Sequence, residues 1–197
     1  MVESVRIEKG QPLNIAYHND RMMKSLYDLF SLKSEINLEE IIRVPYYARA
    51  GTYKCRILYD KEIRQVEFLP YKLKEVSSLK IIEDNEIRYD YKFADRRAFE
   101  KLLAEKGNCD DILIVKNGKV TDSSYANVIL KDTGENWVTP KTFLLPGTMR
   151  ASLLKSGLIK EREITIDKIS DYTEIKLINA MIGIYHSEGI PVYRIEK

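Results

Sequence analysis

The sequence predicts a mixed α/β (α+β) fold in two parts, and three observations carry that prediction. Stretches of period-2 and of period-3.6 patterning both occur, so strands and helices are both expected. Asn117-Gly118 lies between apolar runs, and this pair suits a two-residue hairpin turn because both positions need positive φ. Glycines at 10, 51, 107 and 157 punctuate the patterned stretches.

Taken in order, Glu3 to Ile7 alternates in character and ends at Lys9-Gly10, a strand entering a turn. Met22, Met23, Leu26, Leu29 and Phe30 fall at helical spacing and predict a helix over 17–30. A second helix is expected over 38–46, where Pro45 limits its length. Strands are expected over 53–59 and 63–71, joined by a polar turn at Asp60-Lys61. Residues 1–75 therefore read as a small α/β domain. Residues 73–84, with one apolar pair after Lys80, read as a crossing into a larger strand-rich domain, 76–197. There Phe99, Leu102 and Leu103 predict a helix over 95–106, stopped by Gly107. Strands follow over 111–116, 124–130 and 137–140, then a helix from Gly147 through Leu154. The stretches 161–166 and 175–184 read as strand-rich, and 190–195 as a last strand.

Composition excludes several classes. The 197 residues are 44% hydrophobic and 31% charged with net charge +2, an ordinary globular balance with no basic footprint for nucleic acid. No apolar run approaches the roughly 20 residues of a membrane span. The start, Met-Val-Glu-Ser-Val-Arg, has no secretory pattern, so a cytoplasmic protein is expected, with Cys55 and Cys109 as reduced thiols. Two histidines, His18 and His186, argue against a multi-histidine zinc site.

Five patches hold candidate chemistry, and each has a plain structural reading beside it. Lys92, between Tyr91 and Phe93, is either a snorkelling surface lysine or an amine desolvated enough to form an imine. The run 118–128 holds Asp122 and Asn127, as turn and strand-edge residues or as a carboxylate and amide presented to a cleft. A buried carboxylate there would keep a pyridine nitrogen protonated. Gly147, Thr148 and Met149 open a helix, as an ordinary cap or as a seat for phosphate on free N–H groups. Asn179 and Ala180 lie in an apolar stretch, as a satisfied buried strand or as a close backbone approach to a ligand. His18 and Arg21, three apart on one helix face, are an exposed charge or a phosphate clamp.

In this order and spacing the patches resemble the class IV aminotransferases, the fold-type IV pyridoxal-phosphate enzymes, over nearly the whole chain. Glu3-Ser4-Val5-Arg6 looks like the family's Glu-Thr-x-Arg strand, and His18 with Arg21 like its His-x-x-Arg helix. Lys92 with Arg96 is similar to its Lys-x-x-x-Arg segment. Val120-Thr121-Asp122 through Asn127-Val128 is similar to its Val-Thr-Glu and Asn-Val-Phe stretch, with Asp in place of the usual Glu. Thr139-Pro140 and Leu145-Pro146-Gly147-Thr148-Met149-Arg150 look like its Thr-Pro and Leu-Pro-Gly-x-x-Arg elements.

The resemblance implies a two-domain fold-type IV enzyme, D-amino-acid aminotransferase-like and shortened at its N-terminus, that binds pyridoxal 5'-phosphate. It implies Lys92 as the Schiff-base and proton-transfer residue, Asp122 facing the pyridine nitrogen, and Arg21 on the phosphate with the backbone near Thr148, Met149 and Ala180. Asn127 and Asn179 complete the implied cofactor shell. A small amino substrate and a homodimer are also implied, with no nucleic acid or membrane partner. Met149 after Thr148, and Asn179-Ala180-Met181, look more like 4-amino-4-deoxychorismate lyase than like the branched-chain or D-amino-acid transaminases. A non-catalytic scaffold on the same fold is the alternative from another class.

Overall fold

The computed structural model describes residues 1–33, 36–186 and 188–197. The chain separates into two units, Met1–Leu73 with Tyr91–Ala94, and Lys74–Asp90 with Asp95–Lys197.

In the first unit β1 (Val2–Glu8), β2 (Gln11–Pro12), β3 (Thr52–Tyr59) and β4 (Ile63–Pro70) form an antiparallel sheet ordered β2-β1-β3-β4. α1 (Ile15–Phe30) buries His18, Met22, Ser25 and Leu26, a stripe at i, i+4, i+7 and i+8. Met22 and Leu26 pack with Val5 and Ile7 of β1 and Cys55, Ile57 and Tyr59 of β3. The strand period of two that turns Val5 and Ile7 into this core turns Glu3 into it as well.

The second predicted helix is shorter than expected. α2 (Leu38–Ile41) makes a single turn, Ile42 is already extended, and a 3-10 turn at Tyr46–Ala48 follows Pro45. Proline disfavours helical backbone in the residue before it and has no N–H for the ladder.

The second unit holds β5 (Leu79–Glu83), α3 (Arg97–Ala104), β6 (Asp111–Lys116), β7 (Lys119–Ser123), β8 (Asn127–Asp132), β9 (Trp137–Pro140), α4 (Thr148–Lys155), β10 (Lys160–Arg162), β11 (Tyr172–Ile178), β12 (Ile190–Pro191) and β13 (Ile195–Glu196). The main path of its sheet runs β10-β9-β8-β7-β6-β5-β13, and β11 pairs with β8 and β12. The β6–β7 hairpin turns at Asn117 and Gly118, both at positive φ. β7 meets β8 only at Asp122↔Asn127, while β9 takes Leu130 and Lys131 farther along β8. Between these contacts, Thr139 Oγ1 donates to the buried Val128 O at 2.9 Å.

Five expectations for this unit are corrected. The stretch 73–84 is more than a crossing, because β5 lies in the sheet between β6 and β13. The hairpin partner of β6 is β7, ahead of the expected 124–130. Its polar Thr121, Asp122 and Ser123 are buried, so composition conceals the strand. The stretch 175–184 stops at Ile178, where Asn179 turns the chain. The stretches 161–166 and 190–195 reduce to β10 and to β12 and β13, each leading into or separated by a 3-10 turn. The segment with Lys92 also differs from the expected division, since Tyr91–Ala94 groups with the first unit. Val2 N–H donates to Lys92 O at 2.9 Å and Tyr91 OH donates to Asp28 at 3.0 Å, which ties it there. No described helix is long and apolar enough to cross a membrane.

Candidate active site

The first unit brings Lys92 and Arg21 to the same end of β1. Lys92 is half-buried and its carbonyl is held by Val2. The next residue, Glu3, is fully buried and takes Arg21 side-on, accepting from Nε at 2.9 Å and from Nη2 at 2.5 Å. His18, also fully buried, contributes Nδ1 at 2.6 Å from Glu3 Oε2. A carboxylate only accepts, so this ring nitrogen carries the proton and donates. Burial alone pushes the Glu3 carboxyl up, but the Arg21 charge and the His18 hydrogen bond outweigh it and hold the group at about 2. Arg21 and His18 are three apart because α1 must present both to one carboxylate. Neither residue is the exposed helix charge of the plain reading.

In the second unit Asp122 sits where β7 and β8 part. Asn127 Nδ2 donates to its Oδ1 at 2.9 Å, and the N–H groups of Leu144 and Leu145 donate to its Oδ2 at 3.1 and 3.0 Å. Burial pushes this carboxyl up, only partly offset by those hydrogen bonds and the Arg150 charge, to about 6. Asn127 is therefore a brace. Its Nδ2 also donates to Leu145 O at 2.9 Å, tying the 144–147 loop to the carboxylate. Gly147 is required beside it, because a Cβ there would lie 1.8 Å from Asn127 Oδ1.

That loop feeds α4. Its ladder opens with Ala151 N–H on Gly147 O, so the N–H groups of Thr148 and Met149 lie ahead of the helical bonds. Gly147 supplies no side-chain cap. Met149 packs against the cluster that holds Ile178 and Ile184, which brings the start of α4 beside the turn at 179–182. In that turn Asn179 Oδ1 accepts from Met181 and Ile182 N–H at 2.8 and 3.1 Å. Its Oδ1 thus shapes the turn, with Ala180 at the tip, while its Nδ2 donates to Tyr125 O at 3.4 Å.

Arg96 spans the aromatic pair Tyr89 and Phe99 and donates to Ser124 O, in the turn that follows Asp122. The sequence offered one signal for Glu3 that residue-type reasoning passed over, an acid in phase with Val5 and Ile7 on an apolar strand face. The Leu144 and Leu145 contacts are backbone groups and left no side-chain signal. Cys55 and Cys109 are buried free thiols, and burial pushes Cys55 up to about 12. Among the described residues no group of three or more His, Cys, Asp or Glu is placed to hold a metal.

The Asp122 environment predicts a pH effect in cofactor-free protein. Its carboxyl is raised from an ordinary 3.8 to about 6. Between those values the folded form keeps a proton that the unfolded chain has released, so stability falls as pH rises, by about 3 kcal/mol in all. Asp122→Asn lacks that fall. Urea melts at about pH 4 and about pH 7 should show the variant gaining on the parent across the window. An unchanged gap would mean that Asp122 ionises as easily folded as unfolded.

A model of the family described as amino-transferase class IV matches residues 1–187. An uncharacterized protein of Haemophilus influenzae is 38% identical over 187 residues, covering 93% of this chain and 98% of its own. The crystal structure of a candidate 4-amino-4-deoxychorismate lyase from Haemophilus somnus 129PT is similar with TM-score 0.88 and 38% identity, over 93% of this chain and 97% of that one. The aminodeoxychorismate lyase of Saccharomyces cerevisiae is 37% identical over 81 residues, 38% of this chain and 22% of its own.

Proposed function

The chain belongs to the class IV aminotransferase family, whose members depend on pyridoxal phosphate, and from that premise we propose that it is a lyase converting 4-amino-4-deoxychorismate to 4-aminobenzoate and pyruvate. The observation that carries the cofactor reading is Asp122. A carboxylate has about four acceptor positions, and three hydrogen bonds leave this one buried and still raised. A cationic N–H donor is the group that would bring it down, and a pyridinium nitrogen is such a donor. The N–H groups of Thr148 and Met149 ahead of the α4 ladder, and the half-buried tip at Ala180, fit a phosphate.

When bound, the cofactor supplies a ring that accepts the electron pair left at the substrate's amino-bearing carbon. Lys92 provides the amine that holds the cofactor and then takes the proton from that carbon. Asp122 keeps the pyridine nitrogen protonated, braced by Asn127 and by Leu144 and Leu145. Arg21 neutralises phosphate charge. As the proton leaves, the C–O bond on the neighbouring ring carbon breaks, pyruvate departs in its enol form, and the ring becomes aromatic.

The lyase reading is supported by the likeness to the Haemophilus somnus protein and to the yeast lyase. The test incubates protein and pyridoxal phosphate with 4-amino-4-deoxychorismate and follows 4-aminobenzoate and pyruvate together. Release of the two in equal amounts is expected. Amino transfer between amino and 2-oxo acids without that release would replace the lyase with a transaminase. No turnover of either kind, and no visible absorption band with the cofactor, would leave the scaffold.

A further inference from the structure

We propose that Glu3, itself steadied by His18, is the positioning residue that aims Arg21 at the cofactor's phosphate. This rests on the reading of Arg21 as a phosphate contact and extends it to the two buried groups behind that arginine. An arginine side chain has several rotatable bonds, and orientation of its planar fork decides whether it can meet a phosphate with two N–H groups. Here the orientation is set from inside the unit. Glu3 takes Nε and Nη2, which fixes the guanidinium plane and turns the opposite edge, at Nη1, away from Glu3.

Glu3 would not hold that geometry unaided. A buried carboxylate with one cation to its side could rotate about its last bond, and the His18 Nδ1–H at 2.6 Å pins the oxygen that Nη2 also uses. The side chains of Glu3 and His18 are fully buried, whereas that of Arg21 retains 9% of its surface. The arginine alone reaches the surface, and the two residues behind it are inaccessible to any ligand. They act on an anion only through Arg21, which is what separates positioning from catalysis.

The readout is the preference of cofactor-free protein for pyridoxal phosphate over pyridoxal, which lacks the phosphate, measured as a ratio of dissociation constants with no turnover involved. Competition by inorganic phosphate gives a second reading of the same contact. In Glu3→Gln the ratio should fall about tenfold or more, the loss of a well-aimed charged contact. Arg21→Lys, which keeps the charge and loses the fork, should fall alike, and His18→Asn, which restores a donor near Nδ1, should keep most of the preference. A melting curve accompanies each variant. If Glu3→Gln melts earlier and keeps the parent ratio, Glu3 is structural only and the proposal is overturned. If Glu3→Gln does not fold, Arg21→Lys decides, and an unchanged ratio there overturns it as well. If Arg21→Gln itself leaves the ratio unchanged, the phosphate reading of Arg21 fails first and takes the positioning role with it.

Discussion

Lys92→Ala should lose turnover by about 10³-fold or more, because one amine is asked both to hold the cofactor and to move the proton. The effect should come without a matching loss of stability. Lys92 is half-buried, its backbone carbonyl ties the segment to β1 and the neighbouring Tyr91 hydroxyl ties it to Asp28 of α1, and the substitution removes neither bond. Two measurements separate chemistry from folding. Borohydride treatment of parent with cofactor should fix the label on a peptide containing Lys92, and the variant should take none. The melting temperature of cofactor-free variant should stay close to the parent's. Labelling of another lysine in the parent would move the catalytic assignment elsewhere, and a variant that turns over at the parental rate would remove Lys92 from the chemistry.

Much of the fold was legible because periodicity reports burial. The stripe of Met22 and Leu26 in α1, the alternation in β1 and β3, and the Asn117-Gly118 turn all appear where the pattern puts them. The failures share a cause. β7 is buried while carrying Thr121, Asp122 and Ser123, and hydropathy cannot find a strand whose inward residues are polar because they serve a site. The same holds at Asn179, whose Oδ1 bends the chain by accepting two backbone N–H groups where an apolar run reads as continuous strand. Lys92 stood out as a candidate from its motif. Its grouping with the first unit was not legible, because it depends on long-range hydrogen bonds, Val2 N–H to the Lys92 carbonyl and the Tyr91 hydroxyl to Asp28, that leave no local pattern. Motif reading places Asn127 and Asn179 beside the cofactor, and in the structure their hydrogen bonds go to Asp122, to the 144–147 loop, to the 179–182 turn and to the Tyr125 carbonyl. Sequence spacing identifies which residues gather, and the direction of each N–H identifies what they hold.

Glu3→Ala should cost about 3–5 kcal/mol of stability at neutral pH, the larger of the two stability effects predicted here. Removing the carboxylate takes away the acceptor that the Arg21 guanidinium and the His18 N–H share, and the desolvation no longer offset is the source of the loss. The pH dependence gives an independent measure. The carboxyl lies at about 2 folded against 4.5 unfolded, so its stabilisation is fully present above 4.5 and is lost as pH falls through 2. That difference corresponds to about 3 kcal/mol, so most of the gap between parent and variant should close on acidification. Asp95 is also held at about 2, by the hydrogen bond from Arg97, but it is fully exposed and salt will screen it. Acid titration in high salt therefore leaves the Glu3 contribution and suppresses the surface one. The decisive comparison replaces all three residues together. Glu3→Leu with His18→Leu and Arg21→Leu removes all three groups of the cluster at once, and should recover much of what Glu3→Ala loses, since a dry apolar cluster escapes the desolvation of three polar groups. If the triple variant is as unstable as Glu3→Ala, the cluster is chiefly a structural device of the first unit. Recovery of stability would show that the buried charges are not there for the stability of the first unit, which leaves the Glu3→Gln comparison to read their effect on Arg21.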